Sequence, residues 1–160
     1  MEKQLLDILK TNGRIKEEDL AVMLNTSVDE VKSTIERLEK EGVILGYDTL
    51  IDWEKTDYEK VIAYIEVKVT PQRGQGFDKV AERIYNYPQV TACSLMSGRY
   101  DLFVVVEGKT MKEVALFVAE KLAPIESVLS TATHFVLKKY KDNGIVFNKP
   151  RKDKREAVVL

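Results

Sequence analysis

The sequence predicts an α+β protein: a winged helix-turn-helix in front and a ferredoxin-like βαββαβ domain behind. Three observations carry this. From Glu2 to Leu38 the apolar residues recur at spacings of three and four, the period of a helix face. At Val61 the period changes to two, the period of a strand. Beyond it the pattern runs strand, helix, strand, strand, helix, strand, which is the ferredoxin-like order. The implied layout is a helix-turn-helix at 1–47, a hinge at 48–60, the ferredoxin-like domain at 61–141 and a basic tail at 142–160.

Glu2–Thr11 forms the first helix, with Leu5, Leu6, Ile8 and Leu9 inward, and Asn12-Gly13 ends it. Glu17–Leu24 forms the second, burying Leu20, Ala21 and Leu24. Lys16 precedes it and offers no side-chain oxygen to an orphan backbone N–H, so this helix starts uncapped. Asn25-Thr26 makes the turn. The third helix opens at Ser27, and Glu30 three residues on completes an S-x-x-E capping box. In that box the hydroxyl and the carboxylate each take an orphan backbone N–H. Val28, Val31, Ile35 and Leu38 make one buried stripe, and Gly42 closes the helix as a left-handed C-cap. Val43–Ile51 reads as a short strand, the hairpin wing. Asp52–Lys60, polar but carrying Trp53 and Tyr58, reads as the hinge.

In the second domain Val61–Thr70 is the first strand, with Val61, Ala63, Ile65, Val67 and Val69 alternating against Ile62, Tyr64, Glu66, Lys68 and Thr70. Pro71–Gly76 is a loop. Phe77–Tyr87 is a helix with Phe77, Val80, Ala81, Ile84 and Tyr85 inward, broken by Pro88. Val90–Met96 and Tyr100–Glu107 are strands joined at Ser97-Gly98-Arg99. Met111–Leu122 is a helix stopped near Pro124, and Val128–Tyr140 is the last strand. Two helices cover one face of a four-stranded sheet. The other face keeps apolar residues, Leu102, Val104 and Val106 or their alternates, and an uncovered apolar face marks an interface. The domain is therefore expected to pair with itself as an isologous homodimer.

The words Gly13-Arg14-Ile15, Asp19-Leu20-Ala21, Ser27 with Val31, and Arg37-Leu38-Glu39-Lys40-Glu41-Gly42-Val43-Ile44 stand in order, followed by Gly46-Tyr47. In these residues the chain resembles the Lrp/AsnC family, the leucine-responsive transcription regulators of bacteria and archaea. Each word is weak alone; their order and spacing from Gly13 to Tyr47 are specific. Lys139–Phe147 resembles the family's usual end. Two departures stand out: the family usually has Ser or Thr where Lys16 stands, and more Arg or Lys on its recognition helix. The resemblance implies a DNA-reading front and a RAM-type effector-binding and oligomerisation domain behind. It also implies sheet-paired dimers that assemble into tetramers or octamers, with an amino acid or related small metabolite bound between dimers.

Charge argues the other way. The net charge of −1 is uneven: residues 1–47 carry seven Lys/Arg against ten Asp/Glu, residues 48–137 ten against thirteen, and residues 138–160 eight against three. Phosphate contacts supply much of a DNA-binding module's affinity, so such a module is expected to be basic. The acidic front keeps an alternative open: a small-molecule sensor or interaction module that has lost sequence-specific DNA binding. No apolar run is long enough to span a bilayer, and Met1–Lys10 has no signal-peptide pattern, so a cytoplasmic protein with no membrane partner is expected. The single Cys93 cannot form an internal disulfide and reads as a structural thiol in an apolar strand. His134 is the only histidine, and no zinc cluster, phosphate loop or dinucleotide fingerprint is present. No catalytic residue, metal or cofactor is expected.

Outward residues of the third helix are Asp29, Lys32, Ser33, Glu36, Arg37 and Lys40. Lys32 and Ser33 stand where base-edge contacts are expected, and Arg37 or Lys40 where a phosphate lies. Asn25, Thr26 and Ser27, at the turn, are candidates for backbone contacts. Asp29 and Glu30 favour the helix dipole, either as solvated capping residues or with one of them reading cytosine N4. The candidate effector site is Met96-Ser97-Gly98-Arg99-Tyr100-Asp101. A glycine lets the backbone approach a ligand or take positive φ. Turn N–H groups can hold a carboxylate while Asp101 meets an ammonium group, the two ends of a free amino acid. By resemblance, Gly98 and Asp101 match the family's G-x-x-D effector element. The plainer alternative is a hairpin glycine and a surface acid. Thr131 and Thr133 on the last strand are candidates to line the same pocket. The tail beyond Asn148 reads either as a basic arm touching DNA or as solubilising charge.

Overall fold

The helical period is realised as three helices, α1 (Glu2–Thr11), α2 (Glu17–Leu24) and α3 (Val28–Lys40). The computed structural model describes residues 1–71, 74 and 76–147. Its chain divides into two units, Met1–Ile51 and Asp52–Leu160. The loop expected at Pro71–Gly76 lies partly outside the described residues, and the tail from Asn148 lies wholly outside them.

In the first unit Leu5, Leu20, Ala21, Val31 and Leu38 are buried, with Leu6, Ile8, Leu9, Leu24, Val28 and Ile35 packed against them. Asn25 takes the left-handed conformation (φ 52°), which asparagine tolerates, and turns the chain from α2 into α3. Lys16 provides no side-chain cap to α2. At the end of α3 Gly42 stands at φ 71°. The Val43 N–H donates to the Leu38 carbonyl at 2.9 Å and the Gly42 N–H to Glu39 at 3.1 Å. These are the two hydrogen bonds of a Schellman motif, and they satisfy carbonyls that the helix end would otherwise orphan.

The strand expected at Val43–Ile51 does not form. Strand-favouring residues make a strand only where a second edge supplies hydrogen bonds. Within the described residues this segment has no such edge, and Leu45 is left 93% exposed.

In the second unit a 3₁₀ turn (Trp53–Lys55) precedes β1 (Val61–Val69), α4 (Asp78–Tyr85), β2 (Val90–Leu95), β3 (Leu102–Gly108), α5 (Met111–Phe117) and β4 (Val128–Phe135). The sheet order is β2-β3-β1-β4, and every pairing is antiparallel. Residues opposite one another share a face, so the register sorts the side chains. Ala63, Ile65, Val67, Val69, Leu102, Val104 and Val106 face the helices and pack on Val80, Ile84, Val114, Phe117 and Leu122.

Leu102, Val104 and Val106 therefore belong to the covered face, and the open face carries their alternates. These are Ile62, Tyr64 and Glu66 on β1, Phe103 and Val105 on β3, Ala92 and Ser94 on β2, and Ala132 and His134 on β4. The Tyr64 and Phe103 rings lie 5.3 Å apart at its centre.

Other features differ from expectation. Tyr85 points outward, 54% exposed, while Tyr87 packs edge-on against Phe117. Tyr87 lies past the end of α4, where its N–H donates to the Ile84 carbonyl at 3.2 Å and the turn brings it back to the core; Tyr85, one position after Ile84, points away from that face. The last strand stops at Phe135 rather than Tyr140, because Phe135 pairs with Ala63 and β1 has almost run out. After it a small hairpin forms, β5 (Lys141–Asp142) with β6 (Ile145–Val146). Asn143 and Gly144 turn it with φ of 44° and 81°, the two positive values of a type I′ turn.

Candidate DNA-reading and effector sites

Helix α3 presents its polar side to solvent: Asp29, Lys32, Ser33, Glu36, Arg37 and Lys40 all stand on its surface. The capping residues are arranged differently from the expected box. The Ser27 hydroxyl accepts from the Glu30 N–H at 3.2 Å, as expected. The Glu30 carboxylate, however, accepts from the Thr26 hydroxyl. Thr26 and Ser27 are thus occupied in holding the turn, and Ser33 donates to the Glu30 carbonyl at 3.1 Å.

Two of the three candidate cations are also engaged. Lys32 Nζ lies 3.5 Å from a Glu17 oxygen on α2. Arg37 bridges Glu2 on α1 at 2.5 Å and Glu41 at 2.8 Å. These hydrogen bonds raise the Arg37 pKa, Glu2 contributing most and Glu41 next, so the guanidinium is held charged. Lys40 makes no ion pair among the described residues. The i,i+4 spacing of Arg37 and Glu41 was legible in the sequence. The partners Glu2 and Glu17 were not, because no local spacing links α1 or α2 to α3. Beside α3, Tyr47 donates its hydroxyl to Glu39 at 2.9 Å, and burial first, then this bond, raises its pKa.

The turn between β2 and β3 holds the other set. Met96 N–H donates to the Asp101 carbonyl at 2.8 Å, closing the hairpin, and Gly98 takes φ 128°. Asp101 lies at the end of the central strand pair: its N–H donates to the Val67 carbonyl at 3.1 Å and its Oδ2 accepts from the Val69 N–H at 2.9 Å. That N–H lies just past Val67, whose pairing with Leu102 is the last between β1 and β3. Asp101 thus supplies an acceptor where the β1–β3 ladder runs out. Arg99 reaches Glu66 on the open face at 3.4 Å, and His134 lies 3.5 Å from the same carboxylate.

Tyr100 is half-buried beside Asp101. Thr131 and Thr133 lie opposite Val67 and Ile65, on the helix side of β4, with β1 between them and the turn. One protomer does not gather them with Ser97–Asp101. Cys93, opposite Val104, packs against the core, and burial raises its thiol pKa, which favours the protonated form.

Asp101→Ala is expected to cost about 1–3 kcal/mol by orphaning the Val69 N–H. Asp101→Asn, which keeps an acceptor oxygen, should recover most of it in urea unfolding. Equal losses in the two variants would show that the hydrogen bond is not what matters.

An exposed helix set across a second one, on a chain that continues into an open-faced ferredoxin-like sheet, defines a two-part DNA-binding transcriptional regulator. Comparison with known proteins gives the family. Residues 1–44 match the winged helix-turn-helix DNA-binding domain, and residues 62–146 match the Lrp/AsnC ligand binding domain. The chain belongs to the Lrp/AsnC family of transcriptional regulators. It is 52% identical over 158 residues to the HTH-type transcriptional regulator YugG of Bacillus subtilis (strain 168), covering 98% of this chain and 95% of that one. Among solved structures, PH0061 is 25% identical with a TM-score of 0.77, over 91% of this chain and 95% of that one. The regulator NMB0573 from Neisseria meningitidis, solved with L-Met, is 22% identical with a TM-score of 0.71 and has the same fold, over 92% of this chain and 95% of that one.

Proposed function

We propose that this regulator binds a roughly palindromic operator as a sheet-paired dimer or higher assembly, and that an amino acid bound between dimers adjusts its hold on DNA. The observation that carries this reading is the uncovered sheet face, with the Gly98–Asp101 turn at one end. A domain that leaves Ile62, Tyr64, Phe103 and Val105 uncovered gains by burying them against a copy of itself. The L-Met complex of NMB0573 supports an amino acid as the class of effector. Lys32 and Ser33 are the proposed base-edge readers. Arg37 and Lys40, with Asn25, Thr26 and Ser27, are the proposed backbone contacts. Met96, Ser97, Gly98, Arg99, Tyr100 and Asp101 form the proposed effector turn, and Thr131 and Thr133 reach it only from another copy. Two reading heads fit half-sites one DNA turn apart, about 34–36 Å, or a multiple of that. The setting that fits is the cytoplasm.

The second reading, a sensor that has lost DNA binding, rests on the ion pairs that occupy Lys32 and Arg37. The two separate in a gel shift of the protein's own upstream region, at stated salt, with and without each amino acid. Binding that Lys32→Ala with Arg37→Ala weakens about tenfold or more is expected, each lost phosphate contact also flattening the salt dependence. Parent and variant ignoring DNA alike at low salt would leave the sensor reading. A true effector should also raise the melting temperature, since a ligand at a hundred times its Kd adds about 2.7 kcal/mol.

A further inference from the structure

Resting on the DNA-binding reading, we infer that Glu2 and Glu17 are built-in competitors of DNA phosphate, holding Arg37 and Lys32 so that a single reading head binds generic DNA weakly. The observation is positional. Both cations stand on the exposed side of α3, yet each is bridged to an acid from another helix, Arg37 to α1 and Lys32 to α2. The pairs are about half exposed rather than sealed, so they can open.

Their thermodynamic consequence follows from counterions. Lys32, a proposed base-edge reader on the operator, has no matching base edge on generic DNA and meets phosphate there; a free lysine doing so displaces a condensed cation, and the entropy of that release drives non-specific binding. A lysine that must first leave a glutamate uncovers a carboxylate, which draws a cation back. The net release shrinks, and the salt dependence of binding flattens with it. A head restrained in this way depends on two other sources of affinity. One is specific contact with base edges; the other is the effective concentration that a dimer or larger assembly supplies. The acidic balance of residues 1–47, which weighs against DNA binding on composition alone, becomes a means of suppressing binding to the wrong DNA. Glu41 holds the other nitrogen of the same guanidinium at 2.8 Å, so removing Glu2 loosens the restraint on Arg37 without lifting it.

The test uses full-length protein, Glu2→Gln, Glu17→Gln and the double variant, titrated with a duplex of scrambled sequence across a salt series. Glutamine keeps the shape of the side chain and removes its charge. Each variant is expected to bind about two- to fivefold more tightly at low salt, the range an exposed ion pair supplies. The slope of log K against log salt should steepen by up to about 0.9 for each acid removed. Glu18→Gln is the control: it removes the same charge from the first turn of α2 but breaks no ion pair among the described residues, and it should change the slope little. Circular dichroism melting checks that each variant is folded; should Glu2→Gln unfold, Glu17→Gln carries the test alone. Slopes matching the parent, or an equal change from Glu18→Gln, overturn the inference while leaving DNA binding in place. Absence of binding by parent and variants at low salt overturns the DNA-binding reading, and this inference with it.

Discussion

Leu38→Ala is expected to unfold the helical unit Met1–Ile51 and abolish DNA binding, while the sheet domain stays folded and assembled. Leu38 is 0% exposed and packs with Leu5, Leu20, Ala21 and Val31 in a core of five buried side chains. Truncating a buried leucine to alanine typically costs about 2–5 kcal/mol, through lost transfer energy and the cavity left behind. A unit this small buries too little surface to carry a large reserve, so a loss of that size consumes most or all of its stability. Leu38 also sits where α3 closes: its carbonyl accepts from both Val43 and Ile44. Urea unfolding followed by far-ultraviolet circular dichroism should show the helical transition lost or shifted far to low urea, with the sheet transition kept. Light scattering should report the parent assembly size. One unchanged transition with unchanged DNA binding would mean that this core does not hold the reader together.

Val105→Asp is expected to convert the assembly to monomers and, through that, to weaken operator binding. Val105 lies on the open face of the sheet, opposite Tyr64 on β1 and Ala92 on β2. A carboxylate there meets water in the monomer, so the domain should still fold at a cost of about 1 kcal/mol in strand preference. In a face-to-face dimer the same carboxylate would be buried without a partner, a penalty of about 3–5 kcal/mol. That corresponds to a dissociation constant raised more than a hundredfold. Sedimentation or light scattering across a concentration series reads the change, and the gel shift should weaken because avidity is lost. The parent assembly size persisting in a folded Val105→Asp protein would show that the copies meet through another surface.

Much of this was legible one residue at a time. The periods placed α1 and α2 at their observed ends, and Ser27 and Gly42 marked where α3 is capped and closed, because caps are local chemistry. The switch to a period of two at Val61 located β1, and the turn residues ordered what followed. Other features needed partners distant in the chain. Val43–Ile51 is rich in strand-favouring residues yet has no edge to pair with among the described residues. Asp101 reads as a free acid in a turn; it takes up the Val69 N–H where the β1–β3 ladder ends, thirty-two positions away. The Asn143-Gly144 hairpin is the exception, since its signal stands in the sequence within the stretch expected to be a tail.

By itself the sequence determined the order of helices and strands, their caps, and the family to which their words belong, since each depends on side chains a few residues apart. Only the tertiary structure decided which face of β3 is covered and which acids hold Lys32 and Arg37. Those outcomes are set by register and by contacts between elements distant along the chain, and neither leaves a periodic mark in the sequence.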